Sequence, residues 1–189
     1  MRIVGGQWKG RSLAAPGDQQ TRPTSDRTRE ALFSILSASD ECDLNCARVL
    51  DLFAGTGALG FEALSRGAEF ALFVETLANA RALLRENTHA FGAQGVSKIY
   101  KRDAVKLGSM PAGMGRPFTL IFADPPYGQG LGEQALLSAR KGGWMDDDAL
   151  IVLEEDRRSD FITPTAFRLV DERHYGDTVL YFLKCTDID

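Results

Sequence analysis

Histidine and cysteine are scarce in this chain of 189 residues, which holds only His89, His174, Cys42, Cys46 and Cys185. Cys42 and Cys46 stand four apart with no histidine near them, short of a zinc ligand set. Metal-dependent hydrolysis and Cys–His nucleophilic catalysis are therefore poor candidates, and no metal is expected. The thiols read as reduced and partly buried. No apolar run reaches the length that crosses a bilayer, and the opening "MRIVGGQWKGR" lacks the apolar core of a signal peptide. A cytoplasmic protein without membrane contact is the expectation. Internal repeats and low-complexity tracts are missing, and so is a positive balance: the net charge is −4, which argues against a generally basic nucleic-acid binder.

The charge that is present divides unevenly. Arg2, Lys9, Arg11, Arg22, Arg27 and Arg29 face Asp18, Asp26 and Glu30, leaving +3 in the first 30 residues and −7 in the rest. A basic arm on an acidic body suits a local contact with an anionic ligand, or simply a solvated terminus. The composition, 44% hydrophobic and 25% charged, suits one compact α/β domain with a small appendage.

Hydrophobic patterning orders the chain. "RIVGGQWKGRSL" predicts a small N-terminal β-hairpin, and "AAPGDQQTRPT" a loop broken by Pro16, Gly17 and Pro23. The oxygen-bearing caps Thr24, Ser25 and Asp26 open a helix with Leu32, Ile35 and Leu36 at helical spacing. From Ala47 strands and helices alternate. "RVLDLF" precedes the helix "GALGFEALSRG", and "FALFVE" precedes "LANARALLRENTHAF", with Leu77, Ala80 and Leu84 on one side. "VSKIYKRD" is a third strand, "FTLIFAD" a fourth, followed by a helix around Glu133–Arg140, and "ALIVLEE" a fifth. "FRLVDERHYGDTVLYFLK" reads as two strands around a turn near Tyr175–Asp177. Such alternation implies a mostly parallel sheet covered on both faces, made mixed by the terminal hairpin.

The first strand runs into "DLFAGTGALG", Asp51 to Gly60, in which Gly55, Gly57 and Gly60 fit G-x-G-x-x-G. Glu75 follows about 20 residues after Gly55, at the end of the next strand, where an acid can accept from ribose hydroxyls. That order points to a nucleoside-type ligand. A diphosphate at the helix N-terminus would be opposed by Asp51, four residues before Gly55. A ligand carrying an ammonium and a sulfonium suits it, and S-adenosylmethionine is such a ligand. Asp103 in "KRDAV" ends the third strand and could accept from an adenine amino group.

"LIFADPPYGQG" places Asp124, Pro125, Pro126 and Tyr127 at the carboxyl end of the fourth strand, beside the crevice where open α/β sheets bind ligands. Asp124 can accept from an exocyclic NH2. The Pro125 carbonyl is a second acceptor, stiffened by the locked φ of Pro126, and Tyr127 can stack on a base. The arrangement suits a planar amine with its nitrogen aimed at a methyl donor, a reaction whose main requirement is orientation.

With these residues in hand the sequence resembles the class I S-adenosylmethionine-dependent methyltransferases that modify exocyclic amino nitrogens. "RIVGGQWKGRSL", "TRPTSDRTREALFSIL", "DLFAGTGALGFEALSRGA" and "FADPPYGQG" resemble the bacterial 16S rRNA guanine-N2 methyltransferases of the RsmD type. The likeness runs from Arg2 to at least Glu154, and "RPTSDRTREALF" is its most particular part. It implies a Rossmann-like fold with a seven-stranded, mostly parallel sheet, a C-terminal antiparallel hairpin and a small N-terminal β-hairpin. Residues 1–23 would form an RNA-contacting hairpin and basic loop, and 24–189 the methyltransferase domain. Asp51, Gly55, Thr56, Gly57 and Glu75 would bind S-adenosylmethionine, with Asp103 and Ala104 at its adenine, the product being S-adenosylhomocysteine. Asp124, Pro125 and Tyr127 would hold the target guanine. Lys9, Arg11, Arg22, Pro23 and Thr24 would approach 16S rRNA in an assembled or assembling small ribosomal subunit. A monomer is expected. The rivals are a DNA adenine-N6 methyltransferase, another exocyclic-amine methyltransferase, an NAD(P)-dependent oxidoreductase and a non-enzymatic RNA binder.

Overall fold

The computed structural model describes residues 1–16, 26–126, 129–159 and 161–186. Seven strands form one sheet: β1 (Arg48–Leu52), β2 (Phe70–Val74), β3 (Ser97–Tyr100), β4 (Phe118–Ala123), β5 (Met145–Asp156), β6 (Phe167–Tyr175) and β7 (Thr178–Cys185), in the order β3-β2-β1-β4-β5-β7-β6. The first five strands pair in parallel, while β7 runs antiparallel between β5 and β6. Four helices, α1 (Asp26–Ala38), α2 (Ala58–Ser65), α3 (Ala78–Phe91) and α4 (Leu131–Lys141), complete the fold. Among the described residues no helix is long and apolar enough to cross a membrane, and no cluster of His, Cys, Asp and Glu could hold a metal ion.

Period-2 alternation divides the strands between two cores. Val49, Leu120, Phe122, Leu150, Val152, Leu180 and Phe182 pack under α1, α2 and α3. Leu50, Leu52, Ile121, Ala123, Ile151, Leu153 and Leu183 pack on the α4 side. On α1, Leu32, Phe33 and Leu36 are buried, and the Phe33 ring lies 5.7 Å from that of Phe122. Just beyond α1, Glu41 meets Lys184, a residue paired with Leu150 low in the sheet. The start of α1 therefore points to the carboxyl ends of the parallel strands.

Several expectations are moved by the structure. β5 starts four residues before "ALIVLEE", at Met145. β3 stops at Tyr100, so Asp103 lies beyond it and caps a 3-10 turn, Ala104–Lys106, by accepting from the Val105 N–H (3.1 Å). α3 starts after Leu77, which is 61% exposed rather than part of an apolar face. Its N–H donates to Glu75 Oε1 (2.7 Å), which holds residue 77 extended. The face buried instead is Arg81, Leu84, Asn87 and Phe91.

The N-terminal hairpin is paired by one antiparallel bridge, Arg2 with Ser12, around a 3-10 turn at Gly6–Trp8. Ile3, Trp8 and Leu13 belong to the same core as α1, α2 and α3, and Trp8 stacks on Phe91 at 4.9 Å. Glu62 of α2, wholly buried, accepts from the Val4 N–H (2.8 Å) and from Arg66 Nε (2.8 Å), with the buried Arg29 Nε at 3.7 Å. One internal carboxylate thus ties the hairpin, α1 and α2 together. Trp8→Ala should consequently behave as a core deletion and cost about 3–5 kcal/mol in equilibrium urea unfolding. A loss near zero would make the hairpin an independent appendage.

Candidate active site

The sheet reverses direction of build between β1 and β4, and the crevice above that switch point is where open α/β sheets bind ligands. Asp51 is the last residue but one of β1, and Glu75 and Asp124 stand one residue past the ends of β2 and β4. The glycine loop spans β1 and α2 on the same edge.

Asp51 is 3% exposed and lies on the α2 face of β1. The Gly60 N–H, in the first turn of α2, donates to its Oδ2 at 3.0 Å. A Cβ on Gly60 would come within 2.3 Å of Phe73 Cε1, so only glycine lets helix and strand approach this closely. Asp51 thus has a structural partner that sequence reasoning did not foresee. Burial pushes its carboxyl up to about 8, against the pull of the Gly60 N–H and helped by the nearby Glu75 charge. A desolvated carboxylate of this kind favours a neighbouring cation.

Glu75 uses both oxygens on backbone: the Gly55 N–H donates to Oε2 (3.0 Å) and the Leu77 N–H to Oε1 (2.7 Å). An ionised carboxylate offers about four acceptor directions, so two stay available to hydroxyls. Gly55 has φ +55°, and a Cβ there would point into open space, with nothing nearer than 3.9 Å. The loop therefore presents bare backbone to the crevice. Asn87 secures its other side by donating Nδ2–H to the Thr56 carbonyl (3.0 Å). The same side chain pairs with Ala14 through both backbone groups, accepting at 2.7 Å and donating at 3.2 Å. Spacing with Ala80, Leu84 and Phe91 puts Asn87 on the buried face of α3, and that signal was readable.

Phe53 is a second residue that sequence reasoning missed. It is the one non-glycine residue with positive φ (60°) among those described, a conformation that costs a bulky side chain about 1–3 kcal/mol. It lines a small cleft with Val74, Glu75, Thr76, Arg102, Asp103 and Ala104. Glu75, Asp103 and Ala104 are thereby brought together. On β4, Pro125 is buried against α4, where a Cβ on Gly132 would lie 3.4 Å from Pro125 Cγ, while Asp124 is half-buried. Tyr127, Arg22, Pro23 and Thr24 lie outside the described residues.

The basic arm is less available than its charge suggests. Arg29 is fully buried and donates to the Arg2 carbonyl, Arg2 faces Asp26 at 3.5 Å, and Arg11 caps α3 at the Ala90 carbonyl over the Phe91 ring. Lys9 and Arg27 are exposed.

A seven-stranded sheet of this order, with a glycine loop after β1 and an acid after β2, defines the class I methyltransferase fold. The family described as "Conserved hypothetical protein 95" matches residues 1–184, and the chain belongs to it. It is 40% identical over 156 residues to "Ribosomal RNA small subunit methyltransferase D" of Escherichia coli (strain K12), covering 82% of this chain and 75% of that protein. The protein of the same name from Haemophilus influenzae is 32% identical, covering 93% of this chain and 89% of its own length. The solved structure of yhhF from Escherichia coli superposes with a TM-score of 0.82 at 33% identity, covering 98% and 97% of the two chains.

Asp51 generates a pH prediction. Its folded pKa lies above its unfolded value near 3.8, so ionisation opposes folding. The stabilisation is complete below about pH 4 and disappears as pH rises toward 8. Asp51→Asn keeps an acceptor for Gly60 and should raise the melting temperature at pH 8 but not at pH 4. Equal shifts at both pH values would refute the assignment.

Proposed function

We propose that the protein transfers a methyl group from S-adenosylmethionine to the exocyclic N2 of a guanine in 16S rRNA of the small ribosomal subunit. The carrying observation is that Glu75, the glycine loop and Asp124-Pro125 surround one switch-point crevice, in a chain 40% identical to a ribosomal RNA small subunit methyltransferase D. The residues fit the cofactor: a bare-backbone loop, an acid with directions to spare for hydroxyls, and a desolvated carboxylate suited to a cation.

S-adenosylmethionine, when bound, supplies an activated methyl group on a sulfonium. In this reading Glu75 accepts from the ribose hydroxyls, Asp103 and Ala104 meet the adenine at the rim, and Gly55, Thr56 and Gly57 give the backbone cradle. Asp124 accepts from the guanine amine and stabilises the positive charge that develops on N2 as it is methylated and loses one proton. The Pro125 carbonyl fixes the amine's direction, and Tyr127 stacks on a base turned out of its helix. Lys9, Arg11, Arg22 and Pro23, within residues 1–23, contact the RNA backbone together with Thr24. The remainder, 24–189, carries the chemistry as a monomer in the cytoplasm. The acidic body favours a structured ribosomal particle over naked RNA.

Small subunits from cells lacking the gene, offered beside naked 16S rRNA with labelled S-adenosylmethionine, should take label at N2 of one guanine, the particle faster than the RNA. Label in adenine, or in DNA only, overturns the substrate. Asp124→Ala should retain cofactor binding and lose about 10²–10³-fold in turnover. Unchanged methyl incorporation would remove Asp124 from this role.

A further inference from the structure

Glu154 is a second carboxylate beside Asp124. The β4–β5 register pairs Phe122 with Val152 and, last, Ala123 with Leu153, so Asp124 and Glu154 are the residues that follow next on the two chains. In-register neighbours in a sheet are about 4.8 Å apart and share a face. Two observations fix which face. Pro125 and Glu155 both approach Gly132 of α4, a Cβ there lying 3.4 Å from Pro125 Cγ and 3.5 Å from Glu155 Oε1. Asp124 and Glu154, one residue earlier on each strand, therefore point the other way, toward the start of α1. Glu154 also pairs across the sheet with Leu180, which packs in that same core. Glu154 is 4% exposed.

Two neighbouring carboxylates present only acceptors, and the ligand edge that matches them is made only of donors. Among the four RNA bases, guanine alone sets a ring N–H beside an exocyclic NH2. Adenine and cytosine place an acceptor nitrogen next to theirs, and uracil has no exocyclic amine. We propose that Glu154 accepts the N1–H of the target guanine while Asp124 accepts from N2, so that Glu154 selects guanine over other amines. This rests on the guanine-N2 reading above.

The test uses small subunits reconstituted with 16S rRNA carrying either guanine or 2-aminopurine at the mapped position. 2-Aminopurine keeps the N2 amine and replaces N1–H by an acceptor. Wild-type protein should prefer guanine by at least about 10²-fold in kcat/KM, since a site built for a donor rejects an analogue lacking it. In Glu154→Gln the side-chain amide can donate as well as accept, and the preference should shrink to about tenfold or less. Glu154→Asp, which withdraws the charge by one methylene, should lower turnover on guanine without gaining on 2-aminopurine. A wild-type ratio near one overturns the proposal, as does a large ratio unchanged in Glu154→Gln. If wild-type protein methylates no guanine N2, the underlying reading fails instead, so the two failures are distinct.

Discussion

The bond from the Gly60 N–H to Asp51 sets the geometry on which the rest of the site depends. It draws the first turn of α2 onto β1 so closely that Gly60 tolerates no Cβ against Phe73. With the helix seated there, the chain between them must turn within a few residues. It does so by placing Phe53 at φ 60° and Gly55 and Gly57 at positive φ. The carboxylate also changes what the loop can receive. A helix N-terminus with free amides attracts phosphate, but here an acid answers one of those amides from below and ionises most readily beside a cation. The backbone path of the loop follows from one buried interaction.

A second consequence concerns the N-terminal hairpin. Side chains that answer groups on more than one element join it to the body. Asn87 holds both Ala14 and the Thr56 carbonyl, and Glu62 holds Val4, Arg66 and Arg29. A displacement of the hairpin is felt at the glycine loop through one fully buried amide. Folding the arm into the core also internalises or neutralises part of its charge, as with Arg29 and Arg2. The positive count in the first 30 residues therefore overstates the basic surface.

Much of this architecture was legible because burial on both faces writes continuous apolar strands, and helices between them repeat every three to four residues. The seven strands, their mixed character and the Gly176 turn all follow from that pattern. Glu75 and Asp124 were locatable because each ends an apolar run, and Asp51 because it interrupts one just before the glycine loop. Their partners were not. A sequence does not reveal that Asp51 is claimed by a backbone amide nine residues on, or that Glu75 pulls Leu77 out of α3. Phe53 carries no composition signal at all, since its distinction is a dihedral angle. Glu154 carried no role of its own in "ALIVLEE", and only the β4–β5 register brings it toward Asp124.

Arranged in spatial order β3, β2, β1, β4, β5, the acids along the carboxyl edge are Asp103, Glu75, Asp51, Asp124 and Glu154. A row of acceptors is costly to assemble without matching donors, because each carboxylate loses solvation and gains like-charged neighbours. Under the proposed reading the matching sequence is an amino group, ribose hydroxyls, a cation, an exocyclic amine and a ring N–H. The two ligands then form one continuous series of donors, meeting between Asp51 and Asp124, where the methyl group must pass. Such an edge repels the phosphates of a nucleic acid. Under that reading a base reaches it by leaving its backbone behind at the periphery, where Arg27 is exposed in the first turn of α1. The acidic charge of the body and the recognition of an extruded base are in this sense the same property of the sheet.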